Sequence, residues 1–152
     1  MPEFIPGLEL SRLFFEEAVR PIMRVVLPKL PYSAARIGPG SDVLGYDTEV
    51  SRDHDWGPRL TIFLLEKDFK QNSRVLDRTL RAKLPTSFRG YSTSWSLPQE
   101  DGSWALIKAE PSRINHRVEI TTLREYSLEN LGYDPKNKLK PADWLAFPQQ
   151  HL

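Results

Sequence analysis

The chain has 152 residues, 39% hydrophobic and 27% charged, with 21 Lys and Arg against 20 Asp and Glu, so one domain around a single core is expected. It contains no Cys, which excludes a disulfide framework, a thiolate nucleophile and any cysteine zinc site. No apolar run approaches the roughly 18 residues of a membrane span, the first residues lack a charged-then-apolar leader, and no basic block announces a nucleic-acid groove; a cytoplasmic location away from membranes is the expectation.

In chain order, Leu8, Leu10, Leu13, Phe14, Ile22, Met23 and Val26 recur at three- and four-residue steps and predict an amphipathic helix. Pro21 should bend it, and Pro28 and Pro31 should end it. Ser33 to Ile37 reads as a short strand running into the turn Gly38-Pro39-Gly40-Ser41, and Val43 to Tyr46 allows one helical turn. From Asp53 the period becomes two: Trp56, Leu60, Ile62 and Leu64 alternate with Asp55, Arg59, Thr61 and Phe63, with Gly57-Pro58 as an interruption. Asp68 to Leu84 is a helical pattern with Asp68 as its cap. Tyr91 to Leu97 and Trp104 to Lys108 predict a hairpin across the loop from Pro98 to Gly102. His116 to Leu123 is a β-branched strand, Glu125 to Leu131 a helix closed by Gly132, and Pro141 opens a last helix. This order predicts an α+β fold, a mixed β-sheet packed against helices with an additional β-hairpin.

Three features carry chemistry. Gly40-Ser41 closes a strand where backbone amides and a hydroxyl can approach a phosphate; the same pair also makes an ordinary turn. Asp53-His54-Asp55 opens a strand, and alternation puts both carboxylates on one face. With no Lys or Arg between them they repel unless a cation sits there, and magnesium takes such hard oxygen ligands; an Asx-turn is the plainer reading. In Arg117-Val118-Glu119-Ile120-Thr121, Val118 and Ile120 claim the core side, so Glu119 points the other way with Arg117 and Thr121. A solvated strand face would look alike.

Taken together, the Gly-Ser turn, eleven intervening residues, the Asp-x-Asp pair and a later strand carboxylate resemble the signature of the DNA-polymerase-beta-like nucleotidyltransferase superfamily. The segments Ile37-Gly-Pro-Gly-Ser41, Leu44-Gly-Tyr-Asp-Thr-Glu49, Asp53-His-Asp-Trp-Gly-Pro-Arg59 and Phe147-Pro-Gln-Gln150 are similar to a group of longer proteins of unknown function with a nucleotidyltransferase-like N-terminal half. The resemblance implies that Gly40 and Ser41 bind the triphosphate, and that Asp53, Asp55 and Glu119 are catalytic ligands to two Mg2+ or Mn2+ ions. A nucleoside monophosphate would pass from a nucleoside triphosphate to an unknown hydroxyl acceptor. Glu119 stands where the family has Asp. Residues 1–124 would form the nucleotidyltransferase-like domain, and 125–152 the start of a helical C-terminal region that the resemblance implies is truncated. An apolar edge around Trp144, Leu145 and Phe147 would then favour self-association.

Other chemistries fit less well. His54-Asp55 is a His-Asp doublet, but Trp56-Gly57-Pro58 breaks the helix that a His-Asp phosphohydrolase needs. His54, His116 and His151 lack the spacing of a zinc site. The alternative is a non-catalytic nucleotide- or partner-binding module, docking through Phe15, Trp144 and Phe147, with Phe14 assigned to the core.

Overall fold

A computed structural model of the chain describes residues 2–52, 55–138 and 140–142. The fold is mixed α+β. The first helix forms in three pieces: α1 (Gly7–Phe14), a π-helical turn (Phe15–Val19) and α2 (Arg20–Val26). Leu10, Phe14, Val19 and Met23 give it one buried stripe. Pro21 widens this helix rather than simply bending it. Its ring has no N–H and crowds the carbonyl four residues back; just before it, the Arg20 N–H donates to the carbonyl of Phe15, five residues away.

The main sheet has three strands in the order β1 (Tyr32–Ala35), β2 (Arg59–Leu64) and β7 (Arg117–Thr122). β1 runs antiparallel to β2, while β7 runs parallel to it with Arg59 opposite Arg117 and Thr61 opposite Glu119. The parallel pairing needs a long crossover, and this contains α3 (Glu66–Lys83) and four two-residue strands. Of these, β3 (Ser87–Phe88) pairs with β4 (Tyr91–Ser92), and β5 (Ser94–Trp95) with β6 (Leu106–Ile107). The single long hairpin expected here is therefore split. Thr93 breaks it, giving its Oγ1–H to the Pro85 carbonyl and its N–H to the Thr86 carbonyl.

One face of the sheet, with Leu60, Ile62, Leu64 and Val118, packs into a core with Leu10, Phe14, Leu76 and Leu80. The opposite face carries Arg59, Thr61 and Phe63 beside Arg117, Glu119 and Thr121, and there α4 (Leu123–Leu131) sets Tyr126 edge-on against Phe63. Phe14 is fully buried, as expected. Among the described residues no helix is long and apolar enough to cross a membrane.

The second strand differs from its expected form. It starts at Arg59, and Asp55 sits before it in a left-handed conformation, φ 52°. Strand alternation therefore does not place the Asp55 carboxylate; contacts made by the loop do. Asp53 and His54 lie outside the described residues, as do Trp144, Leu145, Phe147 and His151. Asp68 is not the cap of α3, which starts after Leu65 without a side-chain cap; it lies in the first turn, where its charge suits the helix dipole.

α4 starts two residues before the expected Glu125, because Thr122 is its cap. Thr122 Oγ1 accepts the Glu125 N–H at 3.1 Å, and the left-handed Gly132 ends the helix. Thr122→Ala should lower stability by about 1 kcal/mol, read as a lower urea midpoint with an unchanged slope. Thr122→Ser, which keeps the oxygen, should restore most of it.

Candidate functional site

The site grows from one buried carboxylate. Asp42 follows the Gly-Ser turn, and its side chain is only 3% exposed. Arg36, just past the end of β1, grips it with two hydrogen bonds, Nε to Oδ2 and Nη2 to Oδ1, both 2.8 Å. Arg59, the first residue of β2, adds a third at 3.3 Å. Both guanidinium side chains are more than nine-tenths buried. Burial pushes the pKa of Arg59 down to about 10, with the charges of Arg36 and Arg117 pushing the same way.

This cluster explains Gly40. Its φ is +144°, and a Cβ there would come within 2.3 Å of Asp42 Oδ1 and 2.9 Å of an Arg59 nitrogen. The expected reason for glycine was the close approach of a phosphate; an internal ion cluster imposes the same demand. Among the described residues the N–H groups of Gly40 and Ser41 donate to no protein acceptor, and Ser41 is exposed. The rest of the loop is tied to α1 by Asp47, whose Oδ2 accepts the Gly7 N–H at 2.5 Å and Trp56 Nε1–H at 3.0 Å.

A cleft of about 470 Å3 opens at the end of the sheet where β2 and β7 begin. Its walls include Gly38 and Pro39 of the turn, Arg36, Arg59 and Arg117, Glu119 with Thr61, Trp104, and Tyr126 with Asn130 from α4. Glu119 faces as the alternation predicts, and its Oε2 accepts the Thr61 hydroxyl at 3.1 Å across the register pair. Burial pushes the Tyr126 pKa up, and the charge of Glu119 adds to it. Gly40 and Ser41 are not among the lining residues; they follow Gly38 and Pro39, which are, directly in the chain.

Asp55 is not among the lining residues but is tied to two of them, Trp104 and Arg117. Its N–H donates to the Trp104 carbonyl at 2.8 Å, and its Oδ1 accepts from Arg117 Nη1 at 3.0 Å, with Arg59 Nη1 4.0 Å away. The cation expected between the carboxylates is thus, for Asp55, a guanidinium from the same strand as Glu119. Arg117 in turn lies 5.0 Å from the ring centre of Trp95 and 4.6 Å from that of Trp104. Burial lowers its pKa; the hydrogen bond to Asp55 and, more weakly, the charge of Glu119 oppose that shift. So Asp55 and Glu119, 64 residues apart in the chain, both act on one guanidinium.

Searches against protein-family models, curated proteins and solved structures found no match. The chemistry must be read from the residues themselves. Among the described residues no group of three His, Cys, Asp and Glu side chains could hold a metal ion, and that set does not include Asp53. Sequence reasoning missed Arg36, Asp42, Arg59 and the two tryptophans. Arg59 was visible only as an alternating strand position. A buried ion cluster has no periodic signal; the one hint was charged residues packed among Gly and Pro in a loop that must turn tightly.

Two outcomes follow. Asp42→Ala leaves two buried guanidinium groups without their partner and should cost about 3 to 5 kcal/mol, measured by denaturant unfolding, whereas Glu9→Ala at an exposed pair should leave the midpoint nearly unchanged. His116 is buried against Asp77, and burial lowers its pKa below the ordinary 6.5 despite that carboxylate. The unfolded chain then binds the proton more readily. Stability from this group is fully present above pH 6.5 and is lost as pH falls through the lower folded value; His116→Gln should flatten that part of the stability profile.

Proposed function

We propose that the chain is a metal-dependent nucleotidyltransferase domain, which takes a nucleoside triphosphate and transfers its nucleoside monophosphate to a hydroxyl acceptor. The observation that carries this reading is one cleft lined by Gly38 and Pro39 of the Gly-Ser turn, three arginines and Glu119, with Asp55, from a distant segment, hydrogen-bonded to the lining residue Arg117. The order of helix, strand, Gly-Ser turn, strand, helix and carboxylate-bearing strand is the α+β order that the sequence periodicity predicts, and it is compatible with this reading.

The donor set suits a hard divalent cation. Oδ2 of Asp55 and Oε1 of Glu119 take no protein donor among the described residues, so each carboxylate keeps an open oxygen. With Asp53 they would hold Mg2+ or Mn2+. When bound, such an ion activates the attacking hydroxyl and neutralises charge on the transferring phosphoryl group. The chain's own residues would do the rest. Arg36 and Arg59 keep a fixed positive field behind the turn, Arg117 offers charged donors to phosphate oxygens, and the Gly40 and Ser41 N–H groups add neutral ones. Thr61 aims the Glu119 carboxylate.

A second reading is a phosphate-binding module without metal, favoured by the Asp55–Arg117 pair, which already neutralises one of the carboxylates. Titration with each of the four nucleoside triphosphates, with manganese or with EDTA, separates the two. The enzyme reading expects binding that needs manganese, together with pyrophosphate release. In Asp55→Asn or Glu119→Gln, binding should weaken by at least the roughly 10- to 100-fold that loss of a supporting group costs a metal site. Equal binding in EDTA, or by both variants, would sink it in favour of the module.

A further inference from the structure

The three cleft arginines that surround Asp42 and Asp55 are not equivalent. Arg36 spends its donors on Asp42 and on the carbonyls of Ile37 and Pro39, and its side chain is 9% exposed. Arg59 is wedged below it at 8%. Arg117 is 27% exposed and lines the cleft. Of its five N–H donors, the one hydrogen-bonded to protein, among the described residues, is on Nη1 and points to Asp55. Ring faces supply its other contacts, and stacking on rings tolerates sliding in a way that a bidentate ion pair does not. Of the three arginines around Asp42 and Asp55, Arg117 is therefore the one able to change partners at small cost.

Its present partner is a proposed metal ligand. While Arg117 holds Asp55, a divalent cation arriving alone at the open Oδ2 meets a carboxylate already neutralised, with a like charge 3.0 Å from the other oxygen of the same group. A phosphate chain arriving with the cation removes both obstacles, because phosphate oxygens are better guanidinium acceptors in number and charge than one shared carboxylate.

Resting on the metal and triphosphate reading above, we propose that Arg117 is a latch on the metal site. Its guanidinium holds Asp55 until the phosphate chain of the triphosphate takes it, so cation and triphosphate enter together. Trp95 and Trp104 are the rail on which it moves. Arg117 is in this sense a positioning residue: it sets when Asp55 becomes available.

The test is calorimetric titration of the full chain with Mn2+ alone and with preformed Mn2+–tripolyphosphate. The parent should bind Mn2+ alone weakly and the complex at least tenfold more tightly, within the 5- to 150-fold range of ordinary coupling. Arg117→Met should bind Mn2+ alone about tenfold more tightly than the parent, and the added Asp55→Asn should abolish that gain. Arg81→Met removes a charge from the same cleft without touching Asp55, and should change Mn2+ affinity far less. An equal gain in Arg81→Met, or parent affinity that ignores tripolyphosphate, overturns the latch. If Arg117→Met loses its near-ultraviolet dichroism and has not folded, tryptophan emission of the parent decides: it should change with Mg2+–tripolyphosphate and stay fixed with Mg2+ alone, and a change with Mg2+ alone overturns the proposal. Metal binding that disregards Arg117 sinks the latch and spares the metal site. No metal binding in any variant, with or without tripolyphosphate, removes both.

Discussion

Everything near the cleft depends on the burial of Asp42 between Arg36 and Arg59. Removing three ionised groups from water costs several kcal/mol for each ion unless geometry returns it. Here the fork of Arg36 meets the carboxylate with two 2.8 Å bonds, and Arg59 adds a third contact. The consequence is positional. Arg36 follows β1, Arg59 begins β2, and Asp42 lies in the loop between them, so one ion cluster fixes the end of one strand, the start of the next and the turn that joins them. The same cluster explains why Gly7 opens α1: a Cβ there would meet the Asp42 Cβ at 2.6 Å. The helix N-terminus is packed directly on the carboxylate.

That anchoring leaves one positive charge more than Asp42 can neutralise, and the polar face of the sheet is arranged around the excess. Parallel pairing sets Arg59 beside Arg117, and Thr61 beside Glu119 one step further on. Two guanidinium groups on neighbouring strands repel, and the structure answers from three directions. Asp55 comes in from the loop, Trp95 presents its ring to both arginines, and Trp104 covers Arg117 from the loop that joins β5 to β6. The left-handed backbone of Asp55 fits this account, since its N–H must reach the Trp104 carbonyl while its side chain turns back to Arg117. The crossover between β2 and β7 therefore does more than return the chain to the start of the sheet: it delivers the aromatic walls that flank the Arg117 guanidinium.

The parts of this fold that were legible in the sequence are those set by periodicity. The apolar stripe of the first helix, the alternation of Leu60, Ile62 and Leu64, and the outward direction of Glu119 each follow from one repeating geometry. Legibility failed where a single long-range contact outweighed the local pattern. Asp53 to Gly57 alternates like a strand, yet Asp55 is bent away by Arg117, which lies 62 residues later. Tyr91 to Leu97 alternates like one strand of a long hairpin, yet the Thr93 hydroxyl bonds backwards to Pro85 and divides it. At the site, the glycine and Glu119 were legible by type and direction. The arginines that give the cleft its field were not, because nothing in an isolated Arg reveals whether water or a carboxylate will surround it.

The mixed charge of the cleft is itself an argument about its ligand. Its lining carries Arg36, Arg59, Arg81 and Arg117 against Asp77, Glu119 and Glu129, a nearly balanced set. A cleft built for a bare anion would gain from dropping the carboxylates, and one built for a bare cation from dropping the arginines. Each arrangement here carries a stability cost for the sake of the other, since like charges must be held near one another in a half-dry site. A ligand that brings both signs in fixed order relieves that cost. On the proposed reading that ligand is a metal-bound triphosphate, its phosphates facing the arginines behind the turn and its cation the open oxygens of Asp55 and Glu119.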